Sequence, residues 1–527
     1  MPRTGTQANY EDYPKAGYGW IEDHLGFSAV QRSTECRVTG VDRKKTLWRG
    51  NKATVLLPAK LNPGETLFAN LVSALRHEGV NLEILYRAFL GFGRKEKQEL
   101  EKGISGQAFS ITARRLWYLY EFLMDERLAI ADLGPISAQP LIDPKTAYVP
   151  DSGPISTRHR IKANLPGTRF YSPTVRRTPA IETREKNNLK VHCSRMFGNI
   201  PEEIAIRMTS YLYLSETRSS FEIERAELPE NRGQQFASLL KRADRENFLE
   251  KKQLVQLQKE IVDLDKATDD YRTFPIWVGK RMTDARGRRL EDDEIVDYVP
   301  PQAADLPQMM EGLLLAANQM LDAGVNPVVT AAATSFGFVL IHPFEDGNGR
   351  IHRFLVHNIL ALGDFTPAGF VLPVSATIKK DIKGYQDLLR TYSGPLKKQV
   401  RFSLSDKGEI RISGSTGDLY RFPDLTDFAE GLYLYLEKTI LRDVPDEVKW
   451  LICFDQSQGL LEQISGVTEQ ERSLFIRLVL QGKGHISKSK REKYFREVSE
   501  DTILEMEKAV NSCFAPLGQV FVNTDLL

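Results

Sequence analysis

The sequence predicts a mainly α-helical protein: a helical core that carries a β-hairpin, preceded by a mixed α/β region and followed by a mostly helical one. Three observations support this fold class. Apolar residues recur at helical spacing through most of residues 195–400. Two strand-like runs in that span flank a charged turn, and strand-like and helix-like runs alternate nearer the N-terminus. Because 527 residues exceed one ordinary core, we expect about two to four domains.

Composition argues against several classes of protein. Lysine plus arginine number 71 and aspartate plus glutamate 70, so the net charge of +1 creates no overall field for nucleic acid or an anionic membrane. The N-terminus does not resemble a secretory signal, and the longest apolar run, AAATSFGFVLI, is too short to cross a bilayer. The histidines form no HExxH pattern. The scattered cysteines favour a reducing compartment and a cytoplasmic location. They are Cys36, Cys193, Cys453 and Cys513.

The N-terminal region, residues 1–190, mixes strand-like and helical runs. Its first 25 or so residues look like a mobile arm. KATVLLPAKL is strand-like, whereas ETLFANLVSALRHEG and ITARRLWYLYEFLMDERLA carry apolar residues at helical spacing. Residues 134–187 are rich in proline, serine and charge, so we expect a linker or an extended wrap there, together with a domain boundary. No motif in this region indicates its role.

Residues 191–400 are predicted to form the central domain. PEEIAIRMTSYLYLSETRSSFEIERAEL is a helix or a helix pair that opens with proline and acids, and QQFASLLKRADRENFLEKKQLVQLQKEIVDL follows with helical period. YRTFPIWVG is strand-like, KRMTDARGRRLEDDEIV is a charged turn and DYVPP a return strand, which together predict a hairpin. Two more helices follow, DLPQMMEGLLLAANQML and NPVVTAAATSFGFVLI, the second with Pro327 at its start.

Residues 401–527 are predicted to be mostly helical. They open with a hairpin, VRFSLSDKGEIRIS, which turns at Asp406-Lys407-Gly408. Helices resume at LTDFAEGLYLYLEKTIL and continue nearly to the end.

The stretch IHPFEDGNGRIHRFL, residues 341–355, concentrates charge between apolar residues. We expect one helix to end at Ile341 and another to begin at Arg350. The intervening Gly347-Asn348-Gly349 can turn several N–H groups toward one point, because glycine permits left-handed conformations. This turn leads into a helix N-terminus, where free N–H donors and the helix dipole favour phosphate.

Four charged or titratable side chains of this stretch fit the same chemistry. Arg350 and Arg353 share a helix face and can grip adjacent phosphate groups. Asp346 lies at the edge of the turn, and one carboxylate plus phosphate oxygens is how Mg²⁺ is usually held. His342 can accept a proton near neutral pH. The stretch therefore predicts a site for a diphosphate and magnesium beside a general base.

The string from His342 to Arg353 resembles the Fic signature, His-Pro-Phe-x-(Asp/Glu)-Gly-Asn-Gly-Arg-x-x-Arg, at every specified position. The alternative is a surface turn that caps a helix, with His342 a core histidine. The resemblance implies transfer of a nucleoside monophosphate, usually AMP from ATP, to a protein hydroxyl. By position, His342 would deprotonate the target Ser, Thr or Tyr, and Asp346 would hold Mg²⁺. Phe344, which belongs to the nucleotide-binding loop, would be its apolar anchor.

The resemblance assigns the remaining residues of the motif to the phosphates of ATP. Asn348, with the amides of Gly347 and Gly349, would hold the α-phosphoryl oxygens. Arg350 would contact the β-phosphate and Arg353 the γ-phosphate. Asn348 and Arg350 thus join His342 as the residues expected to support catalysis.

Ser220 and Glu224 lie one turn apart on the helix expected at about 205–225. They resemble the Fic inhibitory motif, (Ser/Thr)-x-x-x-Glu-(Gly/Asn), of large bacterial-type, class II-like members in which the inhibitory helix precedes the core. Arg225 departs from that pattern. The resemblance implies that Glu224 pairs with Arg353, so that ATP binds in a pose unfit for in-line attack. The alternative is an ordinary amphipathic helix with a solvated glutamate.

Two further segments resemble functional parts of Fic proteins. YRTFPIWVG resembles one strand of the flap, the hairpin that docks a target segment by main-chain pairing, with Ile276 and Trp277 as target contacts. The alternative is a plain core strand. Tyr385 lies where the family places nucleoside contacts, so it either stacks on adenine or packs in the core.

The resemblance implies an autoinhibited protein adenylyltransferase that uses ATP and Mg²⁺ and acts on proteins with an exposed hydroxyl, itself included. One alternative is a Fic enzyme that moves UMP, phosphocholine or phosphate, or that removes AMP. Intact Gly349 disfavours phosphate transfer, whereas Glu224 is compatible with AMP removal.

The other alternative is a non-catalytic ATP-sensing regulator or DNA-binding protein. The C-terminal helices resemble a winged-helix-like module, and residues 483–498 are basic enough to contact nucleic acid, although an exposed amphipathic helix is the usual explanation for such a run. No membrane association is expected, and a homodimer is plausible but has no support in the sequence.

Overall fold

A computed structural model describes residues 10–198, 202–226, 228–283, 289–464 and 466–515. Helices dominate the described residues and the strands are short, so the predicted mainly α fold class is confirmed. In the part of the chain so described, no helix is both long and apolar enough to span a bilayer.

The described residues of the N-terminal region contain a small sheet and five helices. The strands are β1 (Lys15–Ala16), β2 (Thr34–Thr39), β3 (Lys45–Arg49) and β4 (Lys52–Pro58). The sheet has the order β1-β2-β4-β3, in which β2 and β4 are parallel and the other pairs antiparallel. The helices are α1 (Tyr18–Leu25), α2 (Leu67–His77), α3 (Leu82–Leu90), α4 (Arg94–Gly106) and α5 (Ile111–Met124). Helices α1 and α2 contact the sheet, and the predicted strand and both predicted helices are confirmed as β4, α2 and α5.

The predicted mobile arm is wrong for residues 15–25, which are folded. Tyr18 is buried, its N–H donates to Glu78 at 2.8 Å, and its hydroxyl donates to the carbonyl of Gly79 at 2.8 Å. A strand of two residues followed by a short helix gives too little periodicity to be read from the sequence. The first nine residues of the expected arm lie outside the described part of the chain.

Residues 134–187 form an extended wrap, one of the two expected alternatives. They contain the two-residue strands β5 (Gln139–Pro140), β6 (Ile155–Ser156) and β7 (Ile161–Lys162) and the helix α6 (Pro179–Lys186). Backbone hydrogen bonds attach the wrap to the C-terminal part of the core: Ser172 N–H donates to Arg421 O at 2.9 Å, and Thr174 N–H donates to Pro423 O at 3.0 Å. Tyr171 and Val175 are buried in the central core.

The central region is a helical core with one hairpin. The hairpin is β8 (Val278–Thr283) paired with β9 (Arg289–Tyr298). The helices are α7 (Leu189–Gly198), α8 (Glu202–Ile223), α9 (Glu230–Arg242), α10 (Lys251–Ile261), α11 (Leu306–Asp322), α12 (Pro327–Ile341), α13 (Asn348–Leu362), α14 (Val374–Lys380) and α15 (Ile382–Lys397). Nearly every residue of α12 is buried, because α11 and α13 pack on either side of it.

Three predicted boundaries in this region need correction. The strand begins at Val278, so residues 271–277 run into the hairpin without belonging to it, and much of the predicted charged turn lies in β9. Helix α13 begins at Asn348, two residues before Arg350. The predicted end of α12 at Ile341 and its start at Pro327 are confirmed. PEEIAIRMTSYLYLSETRSSFEIERAEL contains a single helix, α8.

The C-terminal region begins with the predicted hairpin and continues as helices. The strands are β10 (Phe402–Leu404) and β11 (Ile410–Ile412), and the helices are α16 (Thr426–Lys438), α17 (Val444–Ile464), α18 (Glu469–Gln481), α19 (Lys488–Tyr494) and α20 (Glu500–Phe514). A π-helical turn, Thr439–Asp443, joins α16 to α17. The central core continues through α16 to Val444, and a separate small core runs from Trp450 to Phe514. The described residues after Ile412 contain no strand that could form the wing of a winged helix.

Candidate active site

The loop between α12 and α13, residues 342–347, is held by its own backbone. His342 ends α12 in a left-handed conformation, with φ of 53°, and its N–H donates to Phe338 O at 2.9 Å. The ring of Phe344 is fully buried between Phe338 and Tyr271, as expected of an apolar anchor. The side chain of Asn348 closes the loop from the other end.

The carboxamide of Asn348 binds the backbone of Phe344 in both directions. Its oxygen accepts from Phe344 N–H at 3.0 Å, and its nitrogen donates to Phe344 O at 2.8 Å. Asn348 is 2% exposed. The expectation that this side chain holds phosphoryl oxygens is therefore corrected: its polar atoms are occupied within the loop, and it shapes the backbone that surrounds the site.

His342 presents a neutral imidazole. Its Nδ1 lies 3.0 Å from Val339 O, and a carbonyl oxygen can only accept, so Nδ1 carries the proton and Nε2 keeps the lone pair. Burial, together with the nearby Arg272 guanidinium, lowers the pKa of His342 to about 4, although Glu224 and Asp346 act in the opposite direction. The imidazole can thus accept a proton at neutral pH.

The two glycines of the motif leave no room for a side chain. Gly347 has a φ of 91°, and a Cβ there would lie 2.7 Å from a methyl group of Val262. A Cβ on Gly349 would lie 2.0 Å from Oε1 of Glu224. No side chain among the described residues caps the N-terminus of α13. The Glu224 carboxylate therefore lies beside Gly349 in the first turn of α13, a position where the helix dipole favours an anion.

Asp346 is held by two cations and a backbone amide. Arg350 Nη2 lies 2.9 Å from Oδ1, Lys266 Nζ lies 3.1 Å from Oδ2, and Gly347 N–H donates to Oδ1 at 2.6 Å. Burial opposes ionisation of this carboxyl, but Arg350 and Lys266 more than offset it, so the pKa of Asp346 lies below its usual value. Asp346 is ionised at neutral pH.

The donors at this position suit Mg²⁺ held partly by phosphate. The described residues contain no group of three or more His, Cys, Asp or Glu side chains placed to ligate one metal ion. One partly exposed, ionised carboxylate beside a helix N-terminus fits magnesium, which keeps several waters and takes phosphate oxygens as further ligands.

Arg350 is buried against the same loop. Besides Asp346, it donates to Ile261 O at 3.1 Å, and its guanidinium carbon lies 5.1 Å from the ring centre of Phe221. Its Nε is buried and makes no hydrogen bond among the described residues. Arg350 thus stands between Asp346 and α8.

Arg353 binds the end of α8 through all three of its nitrogens. Nε donates to Ser220 Oγ at 2.9 Å, Nη2 donates to Ser220 O at 2.7 Å, and Nη1 donates to Glu224 Oε1 at 2.8 Å. The side chain of Arg353 is 3% exposed, whereas that of Glu224 is 38% exposed. The expected pair is present, with the glutamate on the solvent side of a buried guanidinium.

Arg225, which departs from the inhibitory pattern, adopts a φ of 54°. This is the left-handed conformation that glycine and asparagine tolerate best, so the geometry explains why the motif has a small residue or asparagine at this position. The departure costs backbone strain but leaves the Glu224 contact intact.

Helix α8 is anchored to the core by a second buried group. The Glu216 carboxylate is fully buried, accepts from Ser375 N–H at 2.8 Å and lies 2.8 Å from His357 Nε2. At the surface, Lys379 pairs with Glu222. The inhibitory motif is therefore carried by a helix that contacts both α13 and α14.

Ile276 and Trp277, the expected target contacts, lie just before the hairpin. Trp277 precedes β8, and its Nε1–H donates to Gly408 O at 2.9 Å, which ties it to the turn between β10 and β11. Ile276 is partly buried beside it, and Pro275 is exposed. Neither Ile276 nor Trp277 belongs to a strand, so the alternative of a plain core strand does not describe them.

Tyr385 packs in the core, which was the alternative to stacking on adenine. It is 5% exposed, with its ring against those of His352 and Phe336. Burial raises the pKa of its hydroxyl to about 12. The ring face is already covered, so in this arrangement it cannot serve as a platform for a base.

Three residues of the site were missed from the sequence. Lys266 contacts Asp346 but lies in DLDKATDD, which has the composition of an ordinary surface turn. Glu216 lies among other polar residues of α8, and nothing in the sequence distinguishes it from them. Arg272 donates from Nε to His342 O at 2.9 Å. The one sequence signal for it is that it belongs to YRTFPIWVG, the run that resembles a strand of the flap.

A family profile and curated relatives both show that this chain is similar to Fic proteins. The profile of the Fic/DOC family matches residues 248–360. Protein adenylyltransferase Fic of Drosophila grimshawi is 28% identical over 168 residues, which are 32% of this chain and 29% of that protein. The protein of the same name from Drosophila sechellia is 27% identical over 191 residues, 36% of this chain and 33% of that protein. The chain thus spans about a third of the length of these curated relatives.

Two solved structures are also similar to this chain. A Fic family protein from Desulfovibrio desulfuricans G20 is 17% identical, with a TM-score of 0.36, and the match covers 64% of this chain and 86% of that one. A Fic domain containing signaling protein from Bacteroides thetaiotaomicron VPI-5482 is 18% identical, with a TM-score of 0.35, and the match covers 50% of this chain and 95% of that one.

Proposed function

This chain is a Fic domain protein, and from that premise we propose that it is a protein adenylyltransferase, which transfers AMP from ATP to Ser, Thr or Tyr hydroxyls of proteins, itself included. The observation that carries the proposal is the neutral imidazole of His342, which lies in the same loop as an uncapped helix N-terminus. The names of the Drosophila relatives support the choice of AMP.

The proposed reaction needs one proton transfer and one displacement. The target hydroxyl oxygen forms a bond to the α-phosphorus of ATP, the bond from that phosphorus to the bridging oxygen of the β-phosphate breaks, and pyrophosphate leaves. Nε2 of His342 takes the hydroxyl proton. Most of the remaining catalytic effect comes from alignment and charge.

The residues proposed to hold ATP are those now paired with each other. The first-turn amides of α13 would receive the α-phosphoryl oxygens. Arg350 would release Asp346 and bind the β-phosphate. Arg353 would release Glu224 and bind the γ-phosphate. Asp346 would hold the magnesium, whose charge offsets that of the phosphates when it is bound.

Glu224 is proposed to inhibit the transfer. Its carboxylate pairs with Arg353 and fills the space beside Gly349, so it competes with phosphate for both groups. The exposure of its side chain leaves it free to swing away without unpacking the helix. The same carboxylate could instead orient a water, which supports removal of AMP as a second activity.

The test is intact mass spectrometry after incubation with ATP and magnesium. We expect Glu224→Gly to gain AMP on itself strongly, the wild type to gain little, and Glu224→Gly with His342→Ala to gain about 10²–10⁴-fold less than Glu224→Gly alone. Glu222→Gly, at the same helix end but paired with Lys379, is the matched control and should behave as wild type.

Parallel incubations with UTP, GTP and CDP-choline test the other groups. A mass gain from one of these and none from ATP would replace AMP as the transferred group. Loss of AMP from a labelled protein with wild type but not with Glu224→Gly would favour removal. No gain from any nucleotide in the Glu224→Gly protein would reject the transfer of a group to the protein itself.

A further inference from the structure

Arg272 is a buried cation that pairs with none of the acidic side chains that the structure describes. It is 5% exposed and makes no ion pair with any described acidic residue. Its three guanidinium nitrogens all donate to backbone carbonyls: Nε to His342 O at 2.9 Å, Nη1 to Phe274 O at 2.9 Å and Nη2 to Pro301 O at 2.6 Å. Burying a guanidinium without an acidic partner costs free energy of folding. The presence of one here therefore points to a functional role for the side chain.

The three carbonyls belong to three different segments. His342 O is at the start of the motif loop, Phe274 O lies on the way into β8, and Pro301 O lies just after β9. The N–H of Arg272 itself donates to Pro343 O at 2.9 Å, a second bond to the loop. One side chain therefore ties both ends of the flap hairpin to the residue that carries the imidazole.

Resting on the proposed function, we propose that Arg272 is a positioning residue that fixes His342 and the base of the flap as one unit, so that a hydroxyl docked on the flap meets the imidazole in line with the α-phosphorus. The guanidinium does not touch the reacting atoms. It acts through the backbone, where its planar group of five N–H donors can reach three acceptors at once.

The charge of Arg272 has a second effect on the same imidazole. The ionised groups that act on His342 are Arg272 from the segment before β8, Glu224 from α8 and Asp346 from the loop. Arg272 is the cation of this set and disfavours the imidazolium, whereas the two carboxylates favour it. Arg272 thus adds to the effect of burial, which is the main cause of the low pKa of His342, while it fixes the position of the imidazole.

The experiment separates position from charge with two substitutions and two measurements. Arg272→Met removes both the charge and the hydrogen bonds to the three carbonyls. Arg272→Lys keeps the charge, but its single ammonium group cannot bind all three carbonyls. Labelling rates against pH are measured in the Glu224→Gly protein, and the pKa of His342 is measured by NMR titration of histidine-labelled protein, with His342→Ala to assign the signal.

We expect Arg272→Met to lower kcat about 10²-fold and to raise the pKa of His342, while burial still holds that pKa below its usual value, so that kcat/KM stays flat between pH 6 and pH 8. Arg272→Lys should lower kcat similarly but leave the pKa low. The matched control is Arg114→Met, since Arg114 is also buried and donates to the carbonyls of His159, Ser137 and Arg160, far along the chain from the motif.

If Arg272→Met retains the labelling rate and the His342 pKa of the Arg114→Met protein, the positioning role is overturned. If Arg272→Met does not fold, Arg272→Lys decides, because an unchanged kcat in that variant would overturn the role as well. If the Glu224→Gly protein itself labels nothing, the proposed function fails, and the NMR titration still decides whether Arg272 controls the imidazole.

Discussion

Single residues of the motif are paired with one another in a way that the proposed reaction would have to undo. Asp346 binds Lys266 and Arg350, and Arg353 binds Glu224, so each charge expected to meet ATP already has a partner. His342 differs from these charged residues: its Nδ1 is satisfied by a carbonyl of its own helix, and its Nε2 is left to accept. The charged groups of the site are thus paired with one another, whereas Nε2 of His342 can already accept a proton.

The pH dependence of labelling follows from the lowered pKa of His342. Because burial holds that pKa near 4, the base is deprotonated throughout the range from pH 6 to pH 8, and kcat/KM of the Glu224→Gly protein should be flat there. An ordinary histidine, with a pKa of about 6.5, would leave only about a quarter of the base active at pH 6. Initial rates of labelling across this range are the measurement, and a fourfold fall would contradict the assignment of the neutral base.

The left-handed Arg225 predicts a stabilising substitution. Glycine at this position removes the Cβ strain, so Arg225→Gly should raise the free energy of unfolding by about 1 kcal/mol in urea denaturation. Lys483→Gly is the matched control, because Lys483 is also an exposed basic residue with a φ of 56°, after α18 in the C-terminal region, and should gain a similar amount. A loss of stability in Arg225→Gly alone would mean that the side chain of Arg225 makes a contact worth more than the strain.

At the scale of elements, α8 joins the residues proposed to inhibit transfer to the interior. Its end binds Arg353, and its middle buries Glu216 against α13 and α14. Sequence patterns predicted this helix and α11, α12 and α13 because long periodic segments leave few alternatives. They did not predict which polar residues are buried, since Glu216 and Tyr385 take their surroundings from elements distant in the chain.

Removal of the buried anchor should loosen α8 as a whole. Glu216→Ala leaves the N–H of Ser375 and the ring of His357 without their partner, so we expect a loss of about 3 kcal/mol or more in the free energy of unfolding and increased self-labelling. Glu222→Ala, which breaks a surface pair with Lys379, should change stability by no more than about 1 kcal/mol and leave labelling low. A stability loss without increased labelling would show that inhibition does not depend on how α8 is anchored.

At the scale of the whole molecule, the wrap of residues 134–187 is built into the central core, whereas most of the buried residues before it form a cluster of their own. Tyr148, Tyr171, Val175 and Ile181 are buried in the same cluster as α12 and α13. Composition predicted the wrap over residues 134–187, but a wrap and a linker have the same composition, and only the partner segment distinguishes them. For the same reason the sequence could not show that packing continues from the central region through α16.

This packing predicts the behaviour of a shortened chain. The fragment 191–527 would expose the apolar surface that Tyr171 and Val175 cover, so it should unfold at a lower temperature than the full chain and aggregate more readily. Thermal unfolding followed by light scattering compares the two. Equal melting temperatures would mean that the N-terminal region contributes little to the stability of the core.

The hydrogen bond from Trp277 to Gly408 has a consequence for how targets are chosen. It links the approach to β8 with the tip of a hairpin more than a hundred residues later in the chain, so the two form one continuous rim five residues after Arg272, which binds the backbone of His342. A protein that approached the imidazole would meet both parts of this rim together. Selectivity for the modified protein would then depend on the β10–β11 turn, which contributes nothing to the handling of the nucleotide.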